Sequence, residues 1–224
     1  MIVINRGKEP DSLLEFRLQH PEADYEDMPS EVKDDVREQM LLEQKHLCGY
    51  CMRKINNPEN VRIEHCRPRH PQGETEHDKS ATLDFKWMIG VCYGNSLKRG
   101  VKKEDMTCDA HKGNAELTVN PYSEASIRKI KYRSNGRIYS DDPDINRDVT
   151  ETLNLNCEAV SLPQTRRKVL EKEKSRIFTK CEGKSQTAVM RELERTYASL
   201  VQERNLTPYC GIIISWLEGK LKIS

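Results

Sequence analysis

Apolar positions recur at helical spacing in two N-terminal stretches, 10–18 and 29–47. In the second, Val32, Val36, Met40, Leu41 and Leu47 mark one face, and Pro29-Ser30 supplies the start signal. That helix runs straight into Cys48. Residues 52–82 then read as loop, broken by Asn56-Asn57-Pro58, Pro68, Pro71 and Gly73, with one short apolar strand, Val61-Arg62-Ile63, before Glu64-His65. A second apolar stretch covers 83–92, and a basic, glycine-containing insertion runs on to Thr107. Cys108 to Leu117 fits one short helix, ended before Asn120-Pro121. Alternation from Ile127 to Tyr139 around Ser134-Asn135-Gly136 predicts a hairpin, because Asn-Gly accepts positive φ. Beyond Pro143 the pattern is helical over 143–156, 162–181, 185–204 and 208–221, punctuated by Gly183 and Pro208. The expected fold is therefore mainly helical α+β. A chain of 224 residues is the right length for one domain spanning 1–224.

Composition narrows the class. Hydrophobic residues make up 36% and charged residues 33%, with a mean hydropathy of −0.81. The longest apolar run, Ile212-Ile213-Ile214, is too short to span a bilayer. Met1 to Arg6 lacks the apolar core and cleavage site of a signal peptide, so a cytoplasmic protein without membrane association is expected. Net charge is only +1, yet its distribution is uneven. The first fifty residues hold twelve acids against six bases, which leaves the remainder net positive. Bases concentrate at Lys98, Arg99, Lys102 and Lys103, at Arg128, Lys129, Lys131, Arg133 and Arg137, and at Arg166-Arg167-Lys168. Each cluster alone reads equally as a solvated face; together they could supply phosphate contacts.

Eight cysteines in a chain of this kind favour metal over disulfides. Cys48-Gly-Tyr-Cys51 lets two thiolates converge on one tetrahedral ion, and a structural zinc needs two more soft ligands. Cys92 and Cys108 are the best second pair; Cys66, His46 and His111 are rivals. Cys157, Cys181 and Cys210 fall on predicted helices and read as core residues.

Glu64-His65 follows a strand and precedes the loop Cys66-Arg67-Pro68-Arg69. Phosphodiester hydrolysis needs a base to activate water and a hard cation to neutralise the leaving oxygen. A histidine suits the first role, and carboxylates suit Mg²⁺. Adjacent strand residues point oppositely, so Glu64 can face an ion while His65 faces the water. Asp109 is the chosen second oxygen ligand, with His111 as the alternative, and Lys112 is a candidate phosphate contact.

The order Cys48-Gly-Tyr-Cys51, Ile63-Glu64-His65-x-x-Pro68, Leu83-Asp84-Phe85, Val91-Cys92 and Cys108-Asp109-x-x-Lys112-Gly113 resembles HNH endonucleases. More closely, it resembles the PtuB-type nuclease subunits of Septu anti-phage systems, which also occur in some retrons. Glu43-Gln44 before the first cysteine pair and the apolar terminal helix from Tyr209 to Leu221 extend the likeness. The resemblance implies a ββα-metal core over 46–121 with a structural zinc knuckle of Cys48, Cys51, Cys92 and Cys108. It implies His65 as general base and Glu64 and Asp109 at a catalytic Mg or Mn ion. Arg67, Arg69, Lys98, Arg99 and Lys112 would be the nucleic-acid contacts. The target would be DNA, with RNA as the second possibility. Residues 143–224 would form a helical docking region for a PtuA-type ABC/SMC-like ATPase. One departure stands out. The central Asn of the HNH pattern aligns with Trp87, whose indole donates but offers no carbonyl oxygen. Asn95 or Asn114 are candidate substitutes, and a catalytically impaired zinc-containing nucleic-acid-binding or adaptor subunit is the alternative reading.

Overall fold

In the computed structural model, residues 1–69, 79–202 and 206–223 are described; Pro71 and Gly73 lie outside them. Helices α1 (Asp11–Gln19) and α2 (Ser30–Glu43) come first, and Val36, Met40 and Leu41 form the buried stripe of α2. The helix ends four residues before its expected limit at 47. Lys45 and His46 both take positive φ, 54° and 61°, which turns the chain out of the helix. Leu47 then pairs with Lys54, and Cys48 N–H donates to Arg53 O at 2.8 Å, closing a tight knuckle around Cys48–Cys51.

The central hairpin pairs β1 (Arg62–His65) with β2 (Met88–Val91) in antiparallel register, with Ile63 opposite Gly90, Glu64 opposite Ile89 and His65 opposite Met88. The strand thus includes Glu64 and His65 rather than ending before them. All of β2 is buried, because both faces are covered. Ile63 and Met88 pack with Leu13, Val36 and Met40 of the N-terminal helices, whereas Ile89 and Val91 join the core around the cysteines. Gly90 is a glycine because α2 lies over it: an added Cβ would sit 3.2 Å from both Gln44 Oε1 and Met40 Cβ.

The short helix α3 (Cys108–Lys112) stops at Gly113, well short of Leu117. Residues 124–127 form a helical turn, α4 (Glu124–Ile127), so Ile127, the first position of the hairpin pattern, closes a helix instead. The predicted hairpin follows as β3 (Ile130–Tyr132) and β4 (Ile138–Ser140), turning through Gly136 at φ 88°. Asp142 caps α5 (Pro143–Arg147) by accepting from the Asp144 and Ile145 amides. The helix expected over 143–156 then widens into a π-turn, Asp148–Thr152, and stops. Asp148 is buried there and accepts the Val119 amide at 2.8 Å, a tertiary bond that periodicity does not reveal. Helices α6 (Leu162–Cys181), α7 (Gln186–Gln202) and α8 (Gly211–Leu221) complete the chain around Leu170, Ile177, Leu193 and Leu217. The fold is mainly helical α+β with two small antiparallel sheets. Cys157, Cys181 and Cys210 are core residues as expected. Among the described residues no helix is long and apolar enough to cross a membrane.

Gln44 locks these parts together. Its Nε2 donates to Leu47 O at 2.8 Å and Gly90 O at 2.6 Å, while its Oε1 accepts from Gly90 N–H at 2.7 Å, all in the interior. Gln44→Leu keeps the volume but leaves the Gly90 amide without a partner, so urea unfolding should report a loss of about 2 kcal/mol. An unchanged midpoint would mean that the knuckle and hairpin are held without this bridge.

Candidate metal centre and active-site cleft

Cys48 and Cys51 come from the knuckle, Cys92 from the end of β2 and Cys108 from the start of α3. Their four sulfurs lie within 4.8 Å of one another, and all four residues are buried. The Cys48–Cys108, Cys51–Cys92 and Cys92–Cys108 separations are 3.8, 3.7 and 3.9 Å. A disulfide requires about 2.05 Å. Tetrahedral thiolates at about 2.3 Å from a central ion stand about 3.8 Å apart, which is the spacing seen. The cluster could hold a metal ion. Cys92 N–H also donates to Cys48 Sγ at 3.3 Å, a bond that favours a thiolate acceptor. Contact with Cys108, then with Cys48 and Cys92, holds Cys51 well below the ordinary thiol range. Contact with Cys48 and its neighbours pushes Cys108 well above it. Four such groups cannot all ionise in an apolar interior without a cation to share.

The two residues between Cys48 and Cys51 are dictated by what they touch. An added Cβ on Gly49 would fall 2.3 Å from Ile89 Cδ1, and Gly49 N–H donates to Gly90 O at 3.0 Å. Tyr50 is almost wholly buried, and its hydroxyl donates to Glu64 Oε1 at 3.2 Å. The knuckle therefore reaches the carboxylate directly.

Glu64, His65 and Asp109 line one cleft of about 480 Å³. Five cations, Arg37, Arg62, Arg69, Lys103 and Lys112, share that lining with two carboxylates, and among the described residues all but Lys103 are ion-paired, Arg37 with Asp34 and Arg69 with Glu26. Glu64 is held by Lys112, whose Nζ lies 2.6 Å from Oε1, both side chains being buried. The same ammonium donates to His65 O at 3.4 Å and Gly113 O at 3.3 Å. Its three protons are thus committed, and Lys112 braces α3 against β1 instead of standing free for phosphate. Asp109 pairs with Arg62 at 2.8 Å. Burial raises Glu64 to about 7; Lys112 opposes the shift and the neighbouring Asp109 carboxylate adds to it. Each carboxylate thus has its own cation, Lys112 on Glu64 and Arg62 on Asp109.

No family model matches the chain, and no curated protein matches it.

The His65 ring is fixed from two sides. Its Nε2 lies 2.8 Å from Thr82 O, which selects the tautomer with a proton on Nε2 and a lone pair on Nδ1. Tyr25 meets the ring edge-on, with centroids 4.9 Å apart at 88°. Thr82 Oγ1 in turn accepts the Tyr25 amide at 2.9 Å. Burial lowers His65 to about 4, with Arg69 and Lys112 adding their repulsion, so the imidazole is neutral at physiological pH. Tyr25 and Thr82 carry no motif, and no signal in the sequence pointed to them.

Trp87 does not brace the loop through its side chain. Its backbone oxygen accepts the Cys66 amide at 2.8 Å, and Arg67 stacks on its ring 3.7 Å from the centroid. Asn95 holds Asp105 O at 3.1 Å inside the basic insertion and is no substitute, whereas Asn114 lines the cleft. Cys66, His46 and His111 stand outside the sulfur cluster. Burial pushes the Cys66 thiol up to about 12, and His111 Nδ1 bonds Thr152 O at 2.9 Å. Arg69 lines the cleft, its guanidinium paired with Glu26 and lying over Tyr25. Lys98 and Arg99 are exposed beyond the rim. Arg166 is no solvated cation: it is buried, donating to Gly136 O at 3.2 Å and Leu155 O at 2.8 Å.

Lys112→Met strands a buried carboxylate and should cost about 3–5 kcal/mol, most of it recovered in Lys112→Met/Glu64→Gln. Equal losses in the single and double variants, measured by urea unfolding, would refute the ion-pair brace. For His65, a folded-state value near 4 below an ordinary 6.5 means its contribution to stability is full above 6.5 and lost as pH falls through about 4. NMR titration without added divalent ions should find the His65 ring protonating near pH 4; a midpoint at or above 6.5 would mean an open, solvated ring.

Proposed function

We propose that this protein is a metal-dependent endonuclease of the HNH kind, hydrolysing phosphodiester bonds of nucleic acid, with DNA as the expected substrate. The observation that carries the reading is convergence. A strand supplies Glu64 and His65, the first turn of a helix supplies Asp109, all three line one cleft, and four cysteine sulfurs at tetrahedral spacing gather the ends of the two elements.

The sulfur cluster is read as a structural zinc site, because four thiolates with no position left for water leave only a structural role. Such an ion contributes on the order of 10 kcal/mol to folding a region whose strands are four residues long. Glu64 and Asp109 offer hard oxygen donors for Mg²⁺ or Mn²⁺, which when bound would neutralise the charge on the leaving oxygen. Lys112 opposes the pull of burial toward a protonated Glu64. His65 Nδ1, the nitrogen left with its lone pair, would take the proton of the attacking water, while Thr82 O holds the opposite edge of the ring. Arg69 and Lys103 on the lining, with Arg67 on Trp87 outside it, are the cations that would meet phosphates.

The resemblance carries the proposal further, to the nuclease subunit of an anti-phage complex with a PtuA-type ATPase docked on the C-terminal helices. The second reading, an impaired adaptor, is favoured only by Trp87 at the central Asn position, and the Thr82 and Trp87 carbonyls supply acceptors that the indole lacks.

Plasmid nicking with Mg²⁺ or Mn²⁺ tests the proposal. His65→Ala should lower the rate by about 10²–10⁴-fold, and the purified chain should carry about one zinc, set by its four thiolates. Cleavage that survives His65→Ala assigns the activity elsewhere. Absence of cleavage under all conditions, with zinc bound, would favour the adaptor.

A further inference from the structure

Between two of the four cysteines, Cys92 and Cys108, the chain makes an excursion that the chemistry above does not use. Its root is rigid. Thr107 N–H donates to Gly94 O at 2.9 Å, Asn95 Nδ2 to Asp105 O at 3.1 Å, and Asn154 Nδ2 reaches Glu104 O at 2.8 Å and Met106 O at 2.9 Å. Gly94 has φ 56°, and an added Cβ there would lie 1.9 Å from Thr107 O, so the crossing admits only glycine. Two successive turns, Ser96 N–H to Tyr93 O and Val101 N–H to Lys98 O, present the tip.

At that tip stands Leu97, 73% exposed. A lone exposed leucine is ordinary. This one is followed directly by Lys98 and Arg99, neither of which pairs with an acid among the described residues. In the cluster 128–137, by contrast, Arg128, Lys129, Lys131 and Arg137 pair with Glu124, Asp142, Asp141 and Glu158, and Arg133 lies over the Tyr139 ring. The excursion also borders the cleft, for Tyr93, Ser96, Lys103 and Met106 line it together with His65 and Asp109.

We infer that residues 93–107 are a wedge for double-stranded nucleic acid, Leu97 entering the minor groove against a base step while Lys98 and Arg99 hold the flanking phosphates. The inference rests on the nuclease reading and narrows its substrate class from nucleic acid to duplex. An apolar side chain beside cations is the combination that unstacks a step and bends the helix. Because the loop is pinned at its root, little conformational entropy is lost on contact.

The test uses the full chain with His65→Ala, so that DNA stays intact, and a duplex of roughly 25 base pairs, or two and a half turns, with 2-aminopurine at scanned positions. Binding should raise the fluorescence at a step where stacking is lost. Leu97→Ala should abolish that rise and weaken duplex binding about tenfold, while affinity for the single strand changes less than about twofold. Lys98→Ala/Arg99→Ala should lower the slope of log K against log salt by about two. No rise with the parent protein, or identical behaviour of both variants, overturns the wedge, even if anionic phospholipid vesicles are bound instead. Otherwise wild-type protein that nicks nothing while the wedge signals persist sinks the nuclease reading alone. Nicking that depends on His65 but ignores Leu97→Ala, with binding unchanged, sinks the wedge alone.

Discussion

Four sulfurs gathered within 4.8 Å in an apolar interior are tolerable only if they share a cation or stay protonated, and their spacing is that of a tetrahedral ion site. The remainder of the structure is arranged around that constraint. Knuckle, hairpin and helix are each too short to persist alone: β1 and β2 have four residues each and α3 has five. Tied at one point, they fix the relative positions of Glu64, His65 and Asp109, which come from segments more than forty residues apart.

The tie also explains residues that have no metal-ligating chemistry. Gly49 is required by Ile89, and Tyr50 turns the knuckle into a support for Glu64. Gln44 pins the end of α2 to the knuckle and to β2 at once. Arg6 works from the N-terminal segment in the same manner, its guanidinium lying between the Phe85 and Tyr122 rings and bonded to Met88 O. Rigid surroundings of this kind hold the geometry of a neutral imidazole and two crowded carboxylates in the cleft.

Electrostatics in the cleft follow from burial more than from net charge. Burial alone would protonate Glu64; Lys112, with all three of its donors committed, opposes that. The same burial keeps His65 neutral, and Thr82 O chooses which nitrogen is free. A lysine that reads in sequence as a phosphate contact is therefore a structural counter-ion.

Much was legible from the chain itself. Helical periodicity located α1, α2 and α6 to α8, Asn135-Gly136 located the second hairpin, and the Cys-x-x-Cys turn with Cys92 and Cys108 located the cluster, because spacing and residue type are local properties. Glu64, His65 and Asp109 were named on the same basis, and the structure brings them to one cavity. What escaped was whatever depends on contacts between distant segments. The early stop of α2 and the π-turn at Asp148–Thr152 answer to tertiary hydrogen bonds that outweigh local preference. Tyr25 and Thr82 beside His65, the partner of Lys112 and the burial of Arg166 could be fixed only by packing. Sequence determines which side chains can do chemistry; the field and hydrogen bonds around each one arise only when remote parts of the chain are folded against it.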